Sequence, residues 1–264
     1  MLHPAWLIPE WPVAGVGALM TTRQGGVSAA PFDTMNLGAT AGDDPAHVIT
    51  NRKMLAQASG VQSVFLNQVH GADVVQIGRA DAGPGAALLT ADASCTTQPG
   101  IACTVLVADC LPVLFAAPRG RAVAAAHAGW RGLASGVLQS TLAAVCEAAQ
   151  CQPAEVRVWM GACIGPRRFE VGQDVIDAFR DAGAQTGAMR FVPHGSAKWL
   201  ANLSLLARDA LQAAGVIGFG GGRWCSVSDR SRFFSFRRDG STGRMAAAVW
   251  IEPRRDGMCR WSFG

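Results

Sequence analysis

Three apolar runs in close succession, within residues 105–133 (VLVADCLPVLFAAPRGRAVAAAHAGWRGL), constrain this chain more than any other stretch. The first, 105–108, stops at Asp109 and Cys110. The second, 111–117, reaches a turn signal at Pro118-Arg119-Gly120. The third, 122–126, ends at His127, with Gly129-Trp130-Arg131-Gly132 close behind. Short apolar runs bounded by turn residues predict buried strands. Two of them deliver a possible metal ligand, Cys110 and His127, where the strand gives out. Strand ends and the loops after them are where enzymes commonly place chemistry.

The rest of the chain reads as support for that corner. Further strands are predicted over 13–20, 61–66, 74–77, 101–108, 156–160, 216–219, 224–227, 233–236 and 245–251, with a flexible turn at 220–222. Helices are predicted over 46–59, 133–149, 170–182 and 198–214. The first helix has the clearest punctuation: Asp44 as cap, Pro45 in the first turn and Gly60 past the end. In the last, Leu200, Leu203, Leu206, Ala207 and Leu211 share one face. Strands and helices in this mixed order predict an α/β (α+β mixed) sandwich, mixed β-sheets flanked by helices, as a single domain over residues 1–264. A chain of 264 residues that is 50% hydrophobic has ample core for such a fold.

Several classes are set aside. No stretch reaches about 18 uncharged apolar residues, so no membrane span is expected. The first twelve residues lack a cationic segment followed by an apolar one, so the cytoplasm is the expected location. The eight cysteines are scattered, without a CxxC pair, and several sit inside apolar runs. Neither a zinc ribbon nor a disulfide framework is expected. The net charge of +4 is uneven: residues 221–264 hold nine Arg against four acids, and the remainder is balanced. No stripe interleaves aromatic and basic residues, so nucleic acid is not an expected partner. The loop Thr21-Thr22-Arg23-Gln24-Gly25-Gly26-Val27-Ser28 lacks the Lys of a P-loop and does not match GxGxxG.

Of the five histidines, His70 and His127 lie at strand ends beside small residues. With Cys110 they form a plausible zinc set: two imidazoles and a thiolate suit a borderline-soft ion and leave a fourth tetrahedral position open, as catalytic zinc sites do. Asp92 is a carboxylate at the edge of another apolar run. The same residues also read without metal, with Cys110 as nucleophile, His127 or His70 as base, and Asp109 or Asp92 orienting the base.

Asn67-Gln68-Val69-His70-Gly71, Ala108-Asp109-Cys110-Leu111-Pro112 and His127-Ala128-Gly129-Trp130-Arg131-Gly132 together resemble the YfiH family of laccase-domain proteins, the "multicopper polyphenol oxidase" group now described as purine nucleoside phosphorylases. Further matching pieces are Thr21-Thr22-Arg23 with Gly25-Gly26-Val27-Ser28, Asn36-Leu37-Gly38, Thr90-Ala91-Asp92, Gly161-Ala162-Cys163-Ile164-Gly165-Pro166, and Phe233-Phe234-Ser235 with Arg237-Arg238-Asp239-Gly240. The resemblance spans about residues 20 to 250. It implies zinc held by His70, Cys110 and His127, while the older name implies copper. It implies phosphorolysis of adenosine, inosine and methylthioadenosine to free base and sugar 1-phosphate, and deamination of adenosine. The implied partners are a purine nucleoside and phosphate, bound by a monomer. On this reading Asp92 or Asp109 moves protons near the metal, although the HxE…PCxxC pattern of standard zinc deaminases is lacking. Arg23, Arg131 or the glycines at 25 and 26 supply an anion site, and Asn36 and Gln68 join the substrate contacts. The same fold has been grouped with cysteine hydrolases, which keeps an amidase using Cys110 as the rival.

Overall fold

A computed structural model describes residues 2–11, 13–83 and 85–253. The strands, in chain order, are β1 (Val16–Met20), β2 (Gln62–Val64), β3 (Val74–Gln76), β4 (Ala93–Thr96), β5 (Ile101–Val107), β6 (Leu111–Ala116), β7 (Val123–Ala128), β8 (Arg157–Met160), β9 (Glu170–Val171), β10 (Phe191–Pro193), β11 (Trp199–Ala201), β12 (Gly218–Gly221) and β13 (Met245–Ile251). The helices are α1 (Pro45–Ser59), α2 (Trp130–Ala134), α3 (Val137–Ala149), α4 (Gln173–Asp181), α5 (Leu203–Ala213) and α6 (Phe236–Asp239).

These elements form a mixed α/β fold of four layers. A four-stranded sheet, β1-β13-β5-β2, packs on a six-stranded sheet, β12-β8-β6-β7-β4-β3, and both mix parallel and antiparallel pairs. A small antiparallel sheet, β10-β11-β9, stands apart from these two. The period-two alternation of side chains along a strand assigns the layers. On β5, Ile101, Cys103, Val105 and Val107 enter the core between the two sheets, and Ala102 enters the outer core that holds Leu55 of α1. On β7, Val123 and Ala125 face the inter-sheet core, while Ala124, Ala126 and Ala128 face the core shared with α3, α4 and α5. A strand buried on both faces reads as a continuous apolar run, which is why the segment 105–133 dominates the sequence.

The punctuation of α1 holds in detail. The Asp44 carboxylate accepts the Ala46 N–H at 2.8 Å, and Gly60 closes the helix at φ 73°. Other expectations are corrected. The helix expected over 133–149 starts at Trp130 and breaks at Gly136, whose φ of 89° separates α2 from α3. The first residues expected in the helices at 170 and 198 pair instead as β9 and β11, and the Asn202 side chain caps α5 by accepting the Leu205 N–H. The strands expected at 224–227 and 233–236 do not form. Short polar side chains there capture backbone N–H groups: Asp229 takes that of Arg232, and Ser235 that of Arg238. Conversely, Gly220 and Gly221 continue β12 beside β8 rather than making a turn.

Candidate metal centre and active-site cavity

The turn between β5 and β6, the end of β7 and the loop after β2 meet at one corner. Cys110 opens β6 from that turn. His127 lies on β7 on the same face as Val123 and Ala125, at the rim of the inter-sheet core. His70 comes from the loop before β3. The ligand atoms of His70, Cys110 and His127 all lie within 4.8 Å of one another. His70 Nε2 is 3.8 Å from Cys110 Sγ, close to the roughly 3.5 Å expected between N and S ligands of one tetrahedral zinc. The imidazole planes stand at 73° to each other. One thiolate and two imidazoles converging with an open side fit a zinc or copper ion.

Asp92 organises this set from behind. Its carboxylate is fully buried and takes four donors: His127 Nδ1 at 2.7 Å and the backbone N–H groups of Val69, His70 and Gly71 at 3.0, 2.9 and 2.7 Å. One side chain thereby fixes the tautomer of one histidine and the backbone of the other. His70 sits at φ 62°, a left-handed conformation that is costly for such a residue and is held here by those bonds. With Nδ1 engaged, His127 presents Nε2 to the site, the usual arrangement behind a metal-bound imidazole. Burial opposes the Asp92 charge, but the His127 and backbone hydrogen bonds outweigh it and hold the carboxyl below its ordinary range. Burial likewise opposes ionisation of Cys110, yet the charge and hydrogen bonds of His127, with those of His70, bring its thiol down to about 6. The same pairing raises His127 to about 9 against its own burial.

Glycines let the third segment close on this corner. A Cβ on Gly129 would stand 2.8 Å from the His70 ring and 3.1 Å from Cys110 Sγ; one on Gly132 would meet the Gly71 carbonyl at 2.6 Å. Asp109 sits at φ 95° in the turn before Cys110. It accepts the Ser226 hydroxyl at 2.5 Å and the Arg237 backbone N–H at 2.6 Å, tying the C-terminal loops to the site.

The cluster lies on the wall of a cavity of about 580 Å³. Phe65, Leu88, Leu106, Trp130, Phe169 and Phe236 give it apolar surface. Three arginines also line it. Arg52 lies 3.9 Å over the Phe65 ring and donates through Nε and Nη2 to the Leu37 carbonyl. Arg244 donates to the carbonyls of Thr242 and Gly243, and Arg237 to that of Glu170. Among the described residues, none of the three forms a salt bridge. Burial pulls the Arg52 and Arg244 guanidinium groups below their ordinary value, so an anion brought beside them would relieve the strain of burying unpaired charge.

The expected substrate contacts separate at this point. Gln68 reaches the cavity, but its carboxamide pairs with both backbone groups of Leu106. Arg23 lies outside, bound to Asp33 by an ion pair of 3.0 Å and packed over Phe234. Asn36 is wholly buried and bonds Gly38, Asp43 and the Arg244 N–H, so it supports the wall from beneath. Arg131 folds over the Trp130 ring. Gly26 is packed against Thr34 and Asn51 rather than open to an anion. Asp92 does not line the cavity, and its four donors tie it to the two histidines. Sequence reasoning missed Arg52 and Arg244 as cavity residues, since nothing local marks them. Arg237 lay inside a quoted motif.

The profile of the family described as "Multi-copper polyphenol oxidoreductase laccase" matches residues 17–252. A Pseudomonas aeruginosa protein named a purine nucleoside phosphorylase is 48% identical over 250 residues, covering 94% of this chain and 99% of its own. The Escherichia coli purine nucleoside phosphorylase YfiH is 46% identical over 248 residues, covering 93% and 98%. Among solved structures, a Neisseria meningitidis protein of the DUF152 family superposes with a TM-score of 0.87 at 46% identity, covering 94% of this chain and 100% of that one. YlmD from Geobacillus stearothermophilus superposes at 0.90 with 32% identity, covering 96% and 98%.

Proposed function

The chain belongs to the multi-copper polyphenol oxidoreductase laccase family, and from that premise we propose that it is a zinc-dependent purine nucleoside phosphorylase. Its substrates on this reading are adenosine, inosine and methylthioadenosine with phosphate, and it also deaminates adenosine. The observation that carries the reading is one cavity with a convergent His70/Cys110/His127 set and unpaired arginines in its wall. The relatives named purine nucleoside phosphorylase support the same choice. An ion held by these three residues supplies Lewis acidity at the cavity wall.

The chain's own groups divide the remaining work. Phe65, Trp130 and Phe236 offer aromatic surface for a purine. Arg52 and Arg244 hold the phosphate as a charge-assisted pair, in place of Arg23 and Arg131. Phosphorolysis then joins a phosphate oxygen to the anomeric carbon as the bond to the base breaks, and the departing base takes up a proton. Asp92 keeps both imidazoles in place throughout. Asp109 is the carboxylate that lines the cavity and remains the candidate for proton transfer in deamination.

The test incubates purified protein with adenosine, with and without phosphate, and separates the products. Adenine and ribose 1-phosphate should form only with phosphate, and inosine with or without it. Failure to release base from any of the three nucleosides would sink the proposal. Arg52→Met and Arg244→Met should each raise the KM for phosphate by about 10- to 100-fold, the worth of a charge-assisted hydrogen bond. A cysteine hydrolase is the second reading, favoured by the line Asp92–His127–Cys110. It predicts amide hydrolysis that survives chelation. A copper polyphenol oxidase is a third. Five histidines in the whole chain are few for a multicopper centre, and this reading requires phenol oxidation after copper loading.

A further inference from the structure

A second pair of thiols lies away from the cavity, at the end of α3. The N–H of Cys151 donates to the Cys146 carbonyl at 3.1 Å, and that of Gln150 to the Glu147 carbonyl at 3.2 Å. Gln150 sits in the left-handed region at φ 49°. This is the Schellman ending of a helix, which sets the residue three positions before the cap beside the one two positions past it. An apolar contact normally fills that position. Here both residues are cysteines, and both are half-buried. The bond from the Cys151 N–H to the Cys146 carbonyl holds the two backbones side by side, the close approach a disulfide requires.

We propose that Cys146 and Cys151 form a reversible dithiol–disulfide site that takes a small-molecule disulfide of the glutathione class as oxidant. The Cys151 thiolate attacks the oxidant, forming a mixed disulfide and releasing one thiol. Cys146 sulfur then displaces the second thiol, closing the ring. Two protein S–H bonds and one S–S bond are replaced by one protein S–S bond and two small thiols, so two electrons pass to the oxidant. Burial pushes Cys146 up to about 11, helped by Cys151 and Glu155, which slows a first attack from that side. Cys151 is also raised by burial and by Glu155, but Cys146 and then Arg121 work against the rise, so it is the better first nucleophile. The staple would lock the last turn of a helix that packs on β7, the strand carrying His127.

The chain offers a clean readout. Cleavage after Arg131 and Arg157 yields a peptide, 132–157, whose only cysteines are these two. Metal-loaded protein is treated with oxidised glutathione, alkylated with iodoacetamide, digested and weighed. The proposal expects peptide 132–157 to lose about 2 Da, to escape alkylation, and to regain two alkylatable thiols after reduction. It expects Cys146→Ser to retain one stable glutathione adduct, on Cys151, with metal content unchanged. Two free, fully alkylated thiols in the treated wild type would overturn it, as would two independent glutathione adducts.

Discussion

Asp92 is the residue on which most depends, because its two oxygens serve both histidines. Asp92→Asn keeps the volume but turns an amide N–H₂ toward groups that are already donors. Metal affinity should fall by about 10- to 100-fold, the usual cost of losing the partner behind a ligand. Equilibrium dialysis against a zinc indicator measures this, and an unchanged affinity would remove Asp92 from its positioning role. The Cys110 thiol makes a second prediction. In metal-free protein its alkylation rate should climb with an inflection near about pH 6 and be near its plateau by neutrality, since the thiolate is the reactive form. Cys95, pushed up to about 11 by burial, should stay unreactive there. At this scale the sequence was readable wherever a polar residue interrupted an apolar run: His70, Asp92, Cys110 and His127 all stand out that way. It was misleading for arginine, whose side chain reaches far and whose partner is set by the fold. Arg23 found Asp33 and Arg131 found Trp130, whereas Arg52 and Arg244, far apart in sequence, came to one cavity without either forming a salt bridge among the described residues.

At the scale of elements, the close approach of α2 to the turn before β6 shapes the corner. Gly129 has an ordinary φ of −66°, so alanine there meets no backbone strain, only the His70 ring and the Cys110 sulfur. Gly129→Ala should therefore disturb the metal centre more than the fold. Bound zinc per chain should drop while the far-ultraviolet circular dichroism is retained; full zinc occupancy would contradict this packing account. The strands buried on both faces were legible as apolar runs, and α1 through its caps. The short strands β9 and β11 were not, because two or three residues carry too little periodicity to separate from the helices that follow. The segments at 224–227 and 233–236 were misread because their aromatic residues suit strands. Phe233 and Phe234 are indeed fully buried in the inter-sheet core, but Asp229 and Ser235 direct the backbone into turns.

In the whole molecule the candidate metal ligands come from three separate segments, the loop after β2, the β5–β6 turn and β7, so an ion bound there would join parts of both large sheets. Binding to the folded state alone stabilises it by mass action. Chelation should lower the melting temperature by roughly 5–10 °C, taking an ion at about a hundred times its dissociation constant and the usual slope for a chain of this size. The four-layer arrangement was foreseen only as a sandwich. Which strand lies beside which depends on pairings across the full length, such as β1 with β13, that no local pattern encodes. The most direct measurement compares wild type and Cys110→Ala for bound metal and for phosphate-dependent release of adenine from adenosine. The account predicts about one zinc per chain and adenine from the wild type, with both lost in the variant while its fold persists. Nucleoside cleavage that continues in Cys110→Ala without bound metal would contradict it.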